Sequence, residues 1–243
     1  MNSPLILRYL IFSVSLIELY AEFIHDSQLV FFTKPLVLPL IALYFFTSVK
    51  GSLTAVHKLM LAAFLFSWFG DIFLMLTPET AADTTIMGIS KNKNYFLGGL
   101  TSFLVTQILF ITSYSKSVTV ASSPTPLKKL YYLPFFIFWI IMLAVILPPL
   151  QSNEEKQAAT IPVIIYSGVL VSMAATALSR YGKTTAQSFR LTFIGACIFL
   201  ISDSLIAINF LALSEPTYYA GFTIFSTYVI AEYLIAEGIL KHN

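Results

Sequence analysis

The chain has 243 residues, 57% hydrophobic and only 11% charged, with 14 basic and 12 acidic side chains and a net charge of +2. A water-soluble domain carries about 25% charged residues, so this composition and a mean hydropathy of +0.82 exclude one. The small net charge and the lack of a basic tract exclude a nucleic-acid partner.

Spans of about 20 apolar residues with short connections use roughly 30 residues each, which fills the chain with eight. In chain order the apolar runs predict helices over Leu5–Ile24, Phe31–Val49, Leu59–Leu76, Tyr95–Ser113, Leu130–Leu150, Ala158–Ser179, Phe189–Leu213 and Tyr218–Leu240. Glu18 and Glu22 interrupt the first run, which reads as a span rather than a cleavable signal. Pro35 suits a helix start, and Pro39 predicts a short or kinked second helix. The fold class is therefore all-α, a polytopic transmembrane bundle, with residues 1–243 forming one domain. Cys197, the single cysteine, has no intrachain partner.

Charge placement predicts orientation. Lys34, Lys91, Lys93 and Lys156 fall on one side of the eight-span arrangement, and the other ten basic residues fall with the termini. Short-loop Lys and Arg mark the cytoplasmic face, so both termini are expected inside. Asp26, Glu79, Asp83, Glu154, Glu155 and Glu215 all fall in outer loops.

The other six acids, Glu18, Glu22, Asp71, Asp203, Glu232 and Glu237, lie within spans. A charged side chain at mid-bilayer costs about 2.5–3.5 kcal/mol even on insertion scales, so six of them predict an interior polar cavity. Glu22 and Glu237 sit near helix ends and are expected to snorkel to the interface. The rest are deeper. Asp71 lies 13 residues beyond Lys58, and Asp203 lies 13 beyond Arg190. At 1.5 Å per residue both aspartates stand about 20 Å above the inner basic residues, with Glu18 and Glu232 in the same central slab. Two carboxyls sharing a site of low dielectric cannot both stay ionised, which leaves an acid beside a carboxylate at neutral pH. Such a pair serves general acid–base catalysis if a substrate lies between them and proton relay if none does. Ser67, Ser202 and Ser204 flank the aspartates and either donate into the cavity or bond their own helix backbone.

His25, His57 and His242 all lie in loops or at helix ends, so no intramembrane His-based metal site is expected. Neither a phosphate-binding Gly-rich loop nor a Gly-x-Ser-x-Gly elbow occurs. Any chemistry falls to carboxyls inside the bilayer, without cofactor or metal. From the residues alone, a proton- or cation-coupled transporter fits these carboxyls as an enzyme does. A lipid-binding or structural protein, whose polar residues join helices, is the third class.

Several stretches carry a resemblance: Lys34-Pro35-Leu36, Gly70-Asp71-Ile72-Phe73-Leu74, Phe96-Leu97-Gly98-Gly99-Leu100-Thr101-Ser102-Phe103, Pro162 to Tyr166, Gly195 through Ser202-Asp203-Ser204, and Tyr228-Val229-Ile230-Ala231-Glu232. In this order they resemble the YhhN family, the lysoplasmalogenases, over almost the whole chain. Two positions depart from the family pattern: Gln107 stands where helix four commonly carries His, and Glu232 where helix eight commonly carries Gln. Both bear on substrate preference and activity.

The resemblance implies hydrolysis of the vinyl ether of a lysoplasmalogen to a fatty aldehyde and a glycerophospho-choline or -ethanolamine. Asp71 and Asp203 are the implied catalytic pair. Glu18, Lys34, Gln107, Tyr166, Ser202, Ser204, Tyr228 and Glu232 are the implied supporting or substrate-binding set. Lys34 is placed either to meet the lipid phosphate or to snorkel. The expected partners are the lysophospholipid substrate and the bilayer, and the expected location is the bacterial inner (plasma) membrane.

Overall fold

The computed structural model describes residues 3–77, 85–87, 89–92, 94–118, 127–153 and 156–242. Among them are eight helices long and apolar enough to cross a membrane. They are α1 (Ser3–Phe23), α2 (Ser27–Ser48), α3 (Ala55–Met75), α4 (Asn94–Lys116), α5 (Leu133–Ser152), α6 (Thr160–Leu178), α7 (Ala186–Ala207) and α8 (Ala220–Leu240). This is the all-α eight-helix bundle that the apolar runs predict. Between α3 and α4 a two-residue antiparallel pair, β1 (Thr85–Ile86) with β2 (Ile89–Ser90), was not expected. Glu79, Asp83, Lys93, Glu154 and Glu155, which the charge pattern assigns to outer loops, lie outside the described residues.

Local chemistry explains where the boundaries differ from expectation. Helix α2 starts at Ser27, four residues before the predicted Phe31, because Asp26 caps it and accepts from the backbone N–H groups of Gln28 and Leu29. It then runs unbroken through Pro35 and Pro39, so the expectation of a short second helix fails. A proline at 39 leaves the carbonyl of Pro35 without its helical donor, and Trp68 on α3 supplies one through its indole Nε1 at 2.8 Å. Membrane helices tolerate proline where a neighbour satisfies the freed group in this way. Helix α3 likewise begins early, at Ala55, where Thr54 and His57 form a reciprocal capping box. Helix α7 loosens at its end into a wider turn over Ile208–Ala212. There Asn209 donates to the Leu205 carbonyl and accepts from Thr217.

The tightest pairs are α3 with α4 and α7 with α8. Small residues allow this closeness in a membrane, where packing replaces hydrophobic drive. A Cβ on Gly70 would lie 2.6 Å from the Phe103 ring, and one on Gly195 would lie 3.0 Å from the Ala231 carbonyl. Of the most apolar stretch of α8, 56% is buried inside the bundle, against 6% for α5. Helix α8 is therefore the central element and α5 the peripheral one, which leaves α5 facing mostly lipid.

Candidate active site in the membrane

The central helices bring Asp71 and Asp203 to one cavity of about 200 Å³, which Glu22, Lys34, Phe103 and Tyr228 also line. Both aspartates are buried. The common depth expected from the matched 13-residue spacing thus becomes a common cavity. Each carboxyl is anchored through one oxygen. Tyr228 on α8 donates to Asp71 Oδ2 at 3.0 Å. Asp203 Oδ2 accepts from the Tyr166 hydroxyl on α6 and from Gln107 Nε2 on α4 at 3.0 Å. Among the described residues no hydrogen bond reaches Oδ1 of either aspartate. Each carboxyl thus has one oxygen held by neighbouring helices, and the two carboxyls stand within electrostatic reach of each other.

Lys34 points inward and pairs with Glu22 at 3.1 Å, with the lysine side chain 21% exposed. It is also within electrostatic reach of Glu18 and Asp71. Glu18 and Glu232 are fully buried behind the cavity. Glu18 accepts from the Thr33 hydroxyl. Glu232 accepts from Ser67 at 2.7 Å, and Ser67 also contacts Thr106 at 3.3 Å. Both glutamates are in electrostatic reach of Asp71. Ser202 donates to the Ile224 carbonyl of α8 at 3.1 Å, and Ser204 bonds its own helix at Leu200, so both serve packing.

A second, apolar cavity of about 50 Å³ lies between α4, α5, α6 and α7, walled by Leu100, Trp139, Met142 and Leu170. It ends on Asp203 and Tyr166 and shares Leu74, Phe103, Asp203 and Ile206 with the carboxyl-lined cavity. Asp203 therefore marks the junction of an apolar slot and a polar chamber.

Three charged residues are more engaged than the sequence suggests. Glu22, near the end of α1, pairs with Lys34. Glu237, near the end of α8, accepts from Arg8 at 2.6 Å, and Tyr44 and Tyr233 bond it as well. Nearness to a helix end sets depth, but the partner on the neighbouring helix decides which way the side chain turns. Arg180, read as a loop charge, is fully buried. It donates to Ser188 at 2.9 Å and lies 5.8 Å from the centre of the Tyr114 ring. Burial pulls its pKa down to about 10. No sequence signal marked it, because Arg180 follows a span directly and reads as one of its basic flanks.

Helices of this length and composition, packed around buried carboxyls, make this an integral multi-pass membrane protein with an intramembrane polar chamber. The chain belongs to the YhhN family, whose family model matches residues 29–239. No curated protein and no solved structure matches it.

Proposed function

We propose that the protein is a membrane-embedded hydrolase of lysoplasmalogen vinyl ethers, with Asp71 and Asp203 as its acid–base pair. Membership in the YhhN family agrees with this reading. The observation that carries it is the meeting of apolar slot and polar chamber at Asp203, with Asp71 on the same chamber. A single-chain amphiphile would lay its glycerol among the carboxyls and its tail along the slot, which must widen from about 50 Å³ between α5 and α6 to admit it.

The chemistry follows from the bond. A vinyl ether accepts a proton at the carbon β to oxygen: its π electrons form the new C–H bond, and a lone pair of the oxygen stabilises the adjacent carbon as an oxocarbenium ion. Water then adds to the carbon bonded to oxygen, and the hemiacetal collapses to an aldehyde and the glycerol alcohol. One water is consumed and no oxidant is needed. One aspartate must donate the first proton, while the other, ionised, stabilises the cation and directs water, as in glycoside hydrolysis. Tyr166, Gln107 and Tyr228 hold the carboxyls in place, and Lys34 sits where a phosphate would find a cation. Purified protein in detergent given a lysoplasmalogen should release free aldehyde and glycerophospho-choline or -ethanolamine in equal amounts. Failure to release either would remove the reading.

A second reading, a proton- or cation-coupled transporter, draws on a different observation. A larger polar cavity of about 670 Å³ opens at the end of the bundle that carries the termini, lined by Arg8, Tyr44, His57 and Glu237. Glu232, Ser67 and Thr106 form a buried polar group in the bundle. Voltage-dependent proton or cation flux in liposomes without aldehyde release would favour transport.

A further inference from the structure

We propose that the mouth of the carboxyl-lined chamber is a subsite for a quaternary ammonium group, formed by the rings of His25 and Tyr218, and that it makes the protein prefer choline over ethanolamine headgroups. The proposal rests on the lysolipid reading of the chamber and specifies its headgroup.

His25 and Tyr218 both line the chamber that holds Asp71 and Asp203. Their ring centres lie 4.2 Å apart at 61°. Tyr219 backs Tyr218 at 4.9 Å and 86° and is itself stacked on Phe23 at 5.5 Å and 11°. The rings of His25 and Tyr218, set at 61°, present faces in different directions and make a corner. Tyr218 is 70% exposed.

The backbone at His25 makes the same point. The N–H of Asp26 bonds the Ala21 carbonyl at 2.9 Å and that of His25 bonds the Glu22 carbonyl at 3.4 Å, the pattern of a Schellman helix end. His25 occupies the left-handed position of that motif, with φ +56°. Glycine fits there without strain, and a side chain is disfavoured. The imidazole is held there nonetheless, against Tyr218.

The groups gathered on the chamber match a lysophospholipid. Lys34 lines it with both aspartates and pairs with Glu22, and His25 follows Glu22 by about one helical turn toward the end of α1. A vinyl ether at the aspartates would bring the phosphate toward Lys34 and the terminal ammonium toward the ring corner. A primary ammonium has N–H donors and is best met by a carboxylate, but the nearby Glu22 is already engaged by Lys34. A quaternary ammonium has no N–H to satisfy, and aromatic faces are its characteristic partner.

Binding of the saturated alkyl-ether analogues tests this without relying on turnover. Lysolipids of equal chain length carrying either headgroup are titrated into the full-length protein in detergent. Wild type should bind the choline lipid about three- to tenfold tighter than the ethanolamine lipid. Tyr218→Leu should erase that preference, while Tyr218→Phe, which keeps the ring, should keep it. His25→Asn removes the imidazole yet suits a left-handed turn, and it should narrow the preference too. Equal binding of both lipids by wild type would overturn the proposal. So would an equal loss for both in Tyr218→Leu, since a tyrosine that only anchors the protein in the interface acts without regard to headgroup. The preference is read from binding, so it stands or falls separately from aldehyde release.

Discussion

Gln107 on α4 donates its Nε2 to Asp203 on α7 at 3.0 Å, and the Tyr166 hydroxyl of α6 donates to the same carboxyl oxygen. Three helices thus fix one carboxylate oxygen. Gln107 is also a position where the family resemblance leads one to expect a histidine; an amide can hold a carboxylate as a ring N–H can, but it does not exchange a proton. On this account Gln107 positions Asp203 and takes no part in proton transfer. Gln107→Leu should lower kcat by about 10- to 150-fold, the order expected from losing one hydrogen bond to a charged group of about 1.5–3 kcal/mol. It should leave the shape of the pH–rate profile unchanged. A profile that loses a limb would show that position 107 takes part in the proton chemistry.

Substitution of the aspartates separates chemistry from folding. Asp71→Asn and Asp203→Asn keep shape and hydrogen bonding but can neither donate the proton nor balance a cation. Each should reduce turnover by about 10²–10⁴ while binding of saturated lysolipid persists. The wild-type rate should follow a bell in pH, because one carboxyl must be protonated and the other not. Its limbs belong to the pair rather than to single residues. Near wild-type rates in both Asn variants would remove the mechanism.

Trp68 carries a structural role that its sequence does not advertise. Trp68→Phe leaves the Pro35 carbonyl without a donor, a loss of about 1–3 kcal/mol for a buried unsatisfied group. Trp139 donates to Ser167, whose own hydroxyl still bonds the Ile164 carbonyl. Trp139→Phe should therefore cost less. Thermal unfolding in detergent ranks the two, and an equal loss would contradict the role assigned to Pro39.

His242 gives the stability a pH dependence. Burial, and then the charges of Arg180 and His57, push its imidazole below the ordinary value of 6.5. The unfolded chain takes up a proton near pH 6.5 while the folded one resists. Stability is therefore complete above that pH and falls as the pH drops below it. His242→Gln should flatten the decline in melting temperature between about pH 6.5 and 5. An unchanged slope would place the dependence elsewhere.

Much of this architecture was legible in the sequence, for reasons that also mark where legibility stops. The 13 residues between Lys58 and Asp71, and between Arg190 and Asp203, set equal depth because helical rise is constant. Both residues then line one chamber. Rotation about the helix axis has no such rule. Depth alone puts Glu22 and Glu237 near helix ends, and only the structure shows that Lys34 and Arg8 pair with them. The start of α2 was obscured because Pro35 is a strong helix-start signal that competed with the true cap at Asp26. Tyr166 and Tyr228 entered through resemblance, since nothing in the apolar pattern separates a phenol facing a carboxyl from one facing lipid.

Orientation rests on the basic residues gathered with the termini. Reporter fusions at the C-terminus and in the turn between α5 and α6 should report opposite sides, with the C-terminus inside. The same side for both would contradict eight spans.

The central claim, protonation of the vinyl ether carbon by an intramembrane carboxyl, is tested most directly by hydrolysis in D₂O, with the aldehyde reduced as it forms so that later exchange is blocked. Acid–base cleavage places one deuterium on the carbon next to the carbonyl, at a rate slower than in water, and the Asp71→Asn and Asp203→Asn proteins should form this product only at their reduced rates. Aldehyde lacking deuterium at that carbon, or labelled aldehyde formed by both variants at the wild-type rate, would contradict the account.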